Sequence, residues 1–580
     1  MSVNKDQTMM FGFCEAQLKE EKSRYDYNSE DEINRLVIDS ADSDSDQRLS
    51  EDEEEEFPII ENEDEDTSYT GRDNTTVWYS NPDKANIIKK DIKPIISGAK
   101  PNAQKAKTEL DCWNLFFTKD IMEEILHHTN VEINSKTVPE TPNTRAYIIK
   151  ETSMDELMAV LGLMYIAGLN NSTGYNLTDL WRSDGTGVDI FRMTMSLQRF
   201  NFLQSCLRFD DATTREARNS VDNIAPIRSM FEKFVENCKD AYSPSQCLCL
   251  DAKYIPFRGE CHFRQFMKQS SAAYGIKMYA LVDTKVNYTV NLEIHAGNQP
   301  DGPHATSYEP SDVVDRLVKP VSKSNRNVTF DNQFTNVPLA THLLNVHGLT
   351  CTGALMKTYK EIPRCFVKME GRGVYSSRFG FQKDLTLVSY IPKKSKVVVL
   401  LSSYHHDKKI DTKYSEKPKP EIVSFYNSTK TGVEFVDKLT KMYDVRNYCK
   451  SWPILILYTM LNIAAINSFI IYRENNNNTK LRRCEFIRKL GLALLEQHLK
   501  IRKNKSSLPR ELKKRIFEQV GESVYDPPGP SEDKYPYKRC RVCPSAKDRK
   551  TKYKCIECKK PICLEHVVTM CQSCTAHTMD

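Results

Sequence analysis

The amino-acid sequence predicts a multidomain α/β protein: an acidic, disordered N-terminus, an α-helical domain, an α/β core carrying an insertion, and a short metal-held module at the C-terminus. Three observations predict it. The run from Asn28 to Asp66 is crowded with Asp, Glu and Ser and nearly devoid of aromatic residues, so it cannot bury enough apolar surface to offset the entropy of folding. Near Gln246 the apolar pattern changes from helical spacing to short runs of Val, Ile, Tyr and Thr separated by turn residues. Between Cys540 and Cys574, seven cysteines and a histidine fall into four pairs, each with two residues between its members.

The chain has 580 residues, more than a single core needs. Its 82 Lys and Arg against 78 Asp and Glu leave a net charge of +4, a near-balance that sets an acidic N-terminal stretch against a basic remainder. Such asymmetry goes with nucleic-acid binding. The opening MSVNKDQTMMFGF has no apolar run with a small-residue cleavage site, so the expectation is a chain that is not secreted, with its 18 cysteines reduced. One apolar stretch, Pro453 to Tyr472, approaches membrane length, but Asn462, Asn467 and Ser468 lie in its middle, and a buried core helix is expected with no membrane partner.

In chain order, residues 1–108 are expected to be a disordered acidic region and 109–245 a helical domain. The helical domain starts with Trp113, Phe116, Phe117, Ile121 and Ile125 at helical spacing. Further helices are predicted over Met154 to Leu169, Ser196 to Phe209 and Ile227 to Tyr242, where Arg199, Arg208, Arg228 and Lys233 read as ordinary surface charge. The first part of the core spans 246–352, and a Lys- and Gly-rich insertion 353–384. The second part, with its closing helices, covers 385–505, followed by a linker over 506–537 and the cysteine module over 538–580. Strands first and an acidic helix last, with an irregular interval between them, suit an α/β nuclease core.

Four carboxylates are placed where such a core needs them: Asp251 inside the strand CLCLDAKYIPF, Asp331 at the end of NVTFD, and Glu434 with Asp437 in TGVEFVDKL. Phosphodiester cleavage builds negative charge on the attacking and leaving oxygens, which two Mg²⁺ or Mn²⁺ ions can stabilise. Carboxylates gathered for that purpose raise one another's pKa unless cations are present. Glu434 and Asp437, three apart on a helix, face the same way.

In the tail the pairs are Cys540/Cys543, Cys555/Cys558, Cys563/His566 and Cys571/Cys574, eight ligands for two closed tetrahedral Zn²⁺ sites. So short a segment has little core and should fold only with its metal. Ten Lys and Arg between Lys538 and Lys560 suit contact with phosphates, and Leu512 to Arg515 (LKKR) is a second basic element suited to nuclear import.

The chain resembles the piggyBac family of transposases in LFFTKDIMEEILHHTNVEI, RFNFLQSCLRFDD, LDAKYIPFRGECHFRQFM, YGIKM, VTFDNQFTNVPLA, LTLVSYIPK, TGVEFVD, WPILILYTMLNIAAINSFIIY and the cysteine tail. The resemblance implies an RNase H-like catalytic core with an insertion, preceded by a helical dimerisation and DNA-binding domain and followed by a cross-brace zinc domain. In that domain the first ligand pair joins the third and the second joins the fourth. It further implies a nuclear homodimer acting on double-stranded DNA, cutting and pasting transposon ends through hairpins into TTAA targets. Carried across, the family's catalytic aspartates fall on Asp251, Asp331 and Glu434, and its additional acid on Asp437. Two positions depart from the family pattern: Glu434 stands in place of an aspartate, and Ala252 in place of a glutamate. Two readings follow, an active transposase and a domesticated DNA-binding descendant without catalysis.

Overall fold

A computed structural model describes residues 68–85, 95–136, 148–171, 176–267, 274–411, 417–447, 449–477, 479–521, 538–555 and 558–568. The chain forms two compact units, Met1–His498 and Leu499–Asp580. The acidic run from Asn28 to Asp66 lies outside the described residues.

In the first unit, the helical region comprises α1 (Glu109–Asn114), α2 (Lys119–Ser135), α3 (Met154–Asn171), α4 (Asp189–Thr194), α5 (Leu197–Cys206), α6 (Arg215–Asn219) and α7 (Arg228–Ala241). A capping box starts α1: Thr108 Oγ1 accepts from Asp111 N at 3.0 Å, and Thr108 N donates back to the Asp111 carboxylate at 3.1 Å. The predicted aromatic stripe is core. Trp113, Phe116, Phe117, Ile121 and Ile125 are all buried, Trp113 Nε1 donates to Tyr165 Oη at 2.8 Å, and that hydroxyl donates to the Leu461 carbonyl at 2.8 Å. The basic residues expected to be ordinary surface charge are ion-paired. Arg199 is buried against Glu156, Arg208 reaches Glu132, Arg228 reaches Asp222 and Glu232, and Lys233 reaches Glu124.

Eleven strands make one mixed sheet: β1 (Ser68–Thr70), β2 (Val77–Tyr79), β3 (Cys247–Pro256), β4 (Gln265–Phe266), β5 (Tyr274–Asp283), β6 (Thr289–Ile294), β7 (Asn327–Phe330), β8 (Thr350–Ala354), β9 (Ser377–Phe381), β10 (Thr386–Lys393) and β11 (Lys396–Ser402). They run in the order β1-β2-β9-β10-β11-β8-β7-β3-β5-β4, with β6 also on β5. At its centre, β6-β5-β3 are antiparallel and β3-β7-β8 parallel, an order compatible with an RNase H-like core. The later helices are α8 (Pro310–Val318), α9 (Val337–Asn345), α10 (Arg364–Val367), α11 (Glu421–Thr429), α12 (Gly432–Met442), α13 (Trp452–Asn475), α14 (Arg483–Arg502) and α15 (Arg510–Gln519).

Helix α13 is long and apolar enough to cross a membrane, yet it is a core helix, and the polar groups in its middle are bonded inside the protein. Asn467 exchanges two 3.0 Å bonds with the backbone of Thr289, Asn462 accepts from Val445 N at 3.1 Å, and Ser468 donates to the Cys112 carbonyl at 3.3 Å.

Three expectations need correction. The region 1–108 is not wholly disordered, because residues 68–85 add β1 and β2 to the sheet through Tyr79 opposite Phe381. Trp78 there is fully buried, with Nε1 donating to the Glu361 carbonyl at 2.9 Å, and Arg72 donates to the carbonyls of Lys357, Tyr359 and Ile362. The expected insertion 353–384 is not separate from the sheet, since its residues Ser377–Phe381 form β9 and pair with β10 across the 384/385 boundary. The linker 506–537 contains α15, whose sequence RELKKRIFEQ has no Gly or Pro and is rich in helix formers. Trp78→Ala should remove a filled core site and cost about 3–5 kcal/mol. A denaturant midpoint unchanged from wild type would show β1 and β2 to be appended to the fold without supporting it.

Candidate active site and zinc centre

The acids meet through strand register. Strands β3 and β7 run parallel, with Leu248 opposite Val328 and Leu250 opposite Phe330. The next residue after each of Leu250 and Phe330 is an aspartate, so Asp251, in the middle of β3, and Asp331, just past the carboxyl end of β7, lie side by side where the parallel pairing of the two strands stops. Past Phe330 the chain turns: Gln333 N donates to Asp331 Oδ1 at 3.0 Å, and Thr335 Oγ1 donates to the Asp331 carbonyl at 2.7 Å.

Helix α12 packs on β3 and β5 and brings the remaining acids. Its start lies so close to β3 that a Cβ on Gly432 would sit 2.8 Å from Cys249 Cβ. Glycine there sets how near Glu434 and Asp437 come to the strand ends. The four carboxylates share an electrostatic field: burial, followed by the charge of Asp331 and with smaller contributions from Asp437 and Glu434, pushes the Asp251 carboxyl up to about 8. The Ala252 N–H, 2.6 Å from Asp251 Oδ1, opposes that rise.

Sequence reasoning missed the cations of this site. Lys253, two residues from Asp251 and therefore on the same strand face, is buried with Nζ 2.9 Å from Asp437 Oδ1. Lys438 Nζ lies 2.9 Å from Glu434 Oε1 at the exposed end of the cluster. Lys277 of β5 sits over the Tyr279 ring at 4.9 Å; burial lowers its pKa, while the charges of Asp331 and Asp251 hold it up. The alternation Asp-Ala-Lys on β3 was the available signal for Lys253.

An all-oxygen donor set on three separate elements fits a hard divalent cation, and with its carboxyl pushed up to about 8, Asp251 is mostly protonated at neutral pH until positive charge joins it. The four acids converge more loosely than a closed metal site. Among the described residues, the sets of three or more ligands whose donor atoms all lie within 4.8 Å are Cys540-Cys543-Cys563-His566 and Asp315-His342-His347.

A pH dependence follows. Since the folded pKa of Asp251 lies above its unfolded value, the bound proton contributes stability that is complete below about pH 4 and is lost as pH rises through about 8. In chelator, wild type should lose denaturant resistance over that window and Asp251→Asn should lose less, so that the variant is the more resistant protein at pH 9. Parallel pH profiles for the two proteins would contradict this.

In the second unit, Lys538–Arg539 pairs with Lys550–Thr551, and the bonds from Arg541 N–H to the Pro561 carbonyl (3.0 Å) and from Cys563 N–H to Cys540 Sγ (3.3 Å) hold the first ligand pair near the third. Cys543 Sγ is 3.6 Å from Cys563 Sγ, and His566 Nδ1 is 3.2 Å from Cys563 Sγ, 3.5 Å from Cys543 Sγ and 3.9 Å from Cys540 Sγ. Tetrahedral Zn–S and Zn–N bonds of ~2.3 and ~2.0 Å require ligand separations of roughly 3.5–3.8 Å, so the set fits zinc. Burial opposes ionisation of Cys540 and Cys543; N–H groups of Cys563, Val542 and Cys543 hold the Cys540 thiol down to about 6, whereas Cys543, beside the sulfurs of Cys563 and Cys540, is pushed up to about 11, so the thiolates coexist only around a cation. Of the remaining ligands, Cys555 is half-buried and Cys558 exposed, and Cys571 and Cys574 lie outside the described residues. All ten Lys and Arg from Lys538 to Lys560 are exposed, Arg539 pairing with Asp548 and Arg549 with Glu565.

Two comparisons bear on this arrangement. The family model described as Transposase IS4 matches residues 108–469, more than half of the chain and a span that holds all four acids. A cryo-EM structure of a piggyBac transposase synaptic complex with hairpin DNA is similar at 33% identity and a TM-score of 0.70, over 83% of this chain and 100% of that one. With the family model matching more than half of the chain and the solved relative matching 83% of it, the chain belongs to the piggyBac-type transposase family.

Proposed function

We propose that the protein is a metal-dependent DNA transposase that excises an element through hairpinned ends and inserts it at TTAA, with Asp251, Asp331 and Glu434 as metal ligands and Asp437 as an additional acid. The observation that carries the reading is the β3-β7 register, which sets Asp251 and Asp331 side by side beneath the helix bearing Glu434 and Asp437. Two Mg²⁺ or Mn²⁺ ions held there would stabilise the charge on the attacking and leaving oxygens of an in-line displacement. Asp251 and Asp331 anchor the site from the rigid sheet, while Glu434 reaches it from α12. In this reading Lys253 holds Asp437 in place until the site is loaded.

The core is read as RNase H-like with an insertion, and the tail as a cross-brace module holding two Zn²⁺, its second site built from Cys555, Cys558, Cys571 and Cys574. The exposed basic face of that module suits the phosphates of an element end. The solved relative is a synaptic complex with hairpin DNA, and a homodimer on double-stranded DNA in the nucleus is the corresponding proposal here. A second reading, a domesticated DNA-binding protein without catalysis, is favoured by one feature: Lys253 and Lys438 already neutralise two of the four acids, and Ala252 supplies no further carboxylate.

Nicking and hairpinning of a matching DNA end by full-length protein in Mg²⁺ or Mn²⁺ distinguish the two readings, and Glu434→Asp reports on the ligand. A glutamate acting as a working ligand should tolerate the shorter side chain poorly, since misplacement by about 1 Å costs on the order of a hundredfold. A variant faster than wild type would mark Glu434 as a partial lesion. Wild type and variant both inert on an end they bind would leave the binding protein as the function.

A further inference from the structure

We propose that Asp315, His342 and His347 form a binding site for one divalent transition-metal cation of the zinc type, separate from the acid cluster and from the cysteine tail. The three side chains come from helix α8 (Asp315), the last turn of α9 (His342) and the turn that follows it (His347), and their ligand atoms all lie within 4.8 Å of one another. Asp315 Oδ1 is 2.9 Å from His342 Nε2 and 2.8 Å from His347 Nε2. Asp331 precedes the start of α9 and the two histidines lie at its far end, so the helix, at 1.5 Å per residue, holds the two sites roughly a dozen ångströms apart.

The surroundings of His347 favour a ligand role. Its ring is buried, with 7% of the side chain exposed, and Nδ1 lies 3.0 Å from Ser322 Oγ. In the tautomer whose Nδ1–H donates to that hydroxyl, Nε2 turns its lone pair toward the Asp315 oxygen as a metal ligand does; in the other tautomer Nε2–H donates to Asp315. At 2.8 Å the first arrangement brings two lone pairs together and calls for a proton or a metal ion between them. His342 is 44% exposed and leaves the outer side of the cluster open to a water.

Two imidazoles and one carboxylate are a zinc-type donor set, whereas Mg²⁺ prefers six oxygens. Bonds of ~2.0–2.1 Å in tetrahedral geometry place ligands roughly 3.3 Å apart, so loading asks the cluster to open by about half an ångström. The exposed His342 side chain can supply that movement. A cation here would clip the end of α9 to α8, on the same helix that follows Asp331.

The test uses the full-length protein, equilibrated with Zn²⁺ and, in a second preparation, with Co²⁺. His342→Ala is the main variant because its side chain is half in solvent and carries little of the core; His347→Gln is the second. Wild type is expected to retain one more equivalent of Zn²⁺ than either variant. Its Co²⁺ form should show visible bands of nitrogen- and oxygen-ligated cobalt that the variants lack, with the thiolate-to-cobalt absorption of the tail equal in all three. Equal metal content and identical cobalt spectra in wild type and His342→Ala would overturn the proposal and leave the three side chains as a hydrogen-bonded cluster around a proton.

Discussion

Asp251→Asn and Asp331→Asn are each expected to slow cleavage of a DNA end by roughly a hundredfold or more, since loss of several kcal/mol of charge stabilisation at about 1.4 kcal/mol per factor of ten gives at least that. DNA affinity and its salt slope should stay at wild-type values, because neither residue is a cation that neutralises a phosphate. Asp251 sits within β3 and Asp331 directly follows β7, and the isosteric amide keeps the Gln333 N–H bond to residue 331 available. The measurement pairs single-turnover cleavage with a binding isotherm at two salt concentrations. A variant that loses binding along with cleavage would assign the aspartate a structural task instead.

The other large effect is expected in the tail. Cys563→Ser removes the ligand in contact with both Cys543 and His566, and structural zinc contributes an apparent binding energy of about 10–16 kcal/mol at pH 7 in small modules. The module should therefore lose hydrogen-exchange protection from Lys538 onward while the Met1–His498 unit keeps its own. Loss of its ordered basic face should weaken binding to an element end and flatten the salt dependence. Full zinc occupancy in Cys563→Ser, or an unchanged salt slope, would place either the metal or the phosphate contacts elsewhere.

What was legible in the sequence follows the range of the interactions involved. Asp251 and Asp331 stood out because a carboxylate flanked by apolar strand residues faces solvent, finds a partner or binds a metal; that the parallel register of β3 and β7 sets the two side by side left no local signal. The first and third ligand pairs of the tail were legible from spacing alone, and the structure brings Cys540, Cys543, Cys563 and His566 together. The aromatic stripe from Trp113 to Ile125 was legible as core, although it is divided among α1 (Trp113), the turn after it (Phe116, Phe117) and α2 (Ile121, Ile125).

The rest depends on distant parts of the chain. Strand β2 is three residues long and is set by its pairing with β9 and by the Trp78 bond to Glu361, neither of which leaves a local signal. Lys253 reads as a solvated strand residue until α12 arrives with Asp437. Helix α15 was obscured by the Pro-rich composition that follows it, and Arg199 by its resemblance to surface charge, when Glu156 and three backbone carbonyls enclose it.

The most direct test of the acid cluster as a divalent-metal centre is Mn²⁺ titration of the full-length protein, followed by electron paramagnetic resonance, beside Asp251→Asn. Wild type is expected to bind Mn²⁺ with the broadening of two neighbouring ions, more tightly as pH rises toward 8 and Asp251 gives up its proton, and Asp251→Asn to lose that signal. Identical Mn²⁺ binding by the two proteins, or none by either, would contradict the assignment of Asp251, Asp331, Glu434 and Asp437 as a metal site.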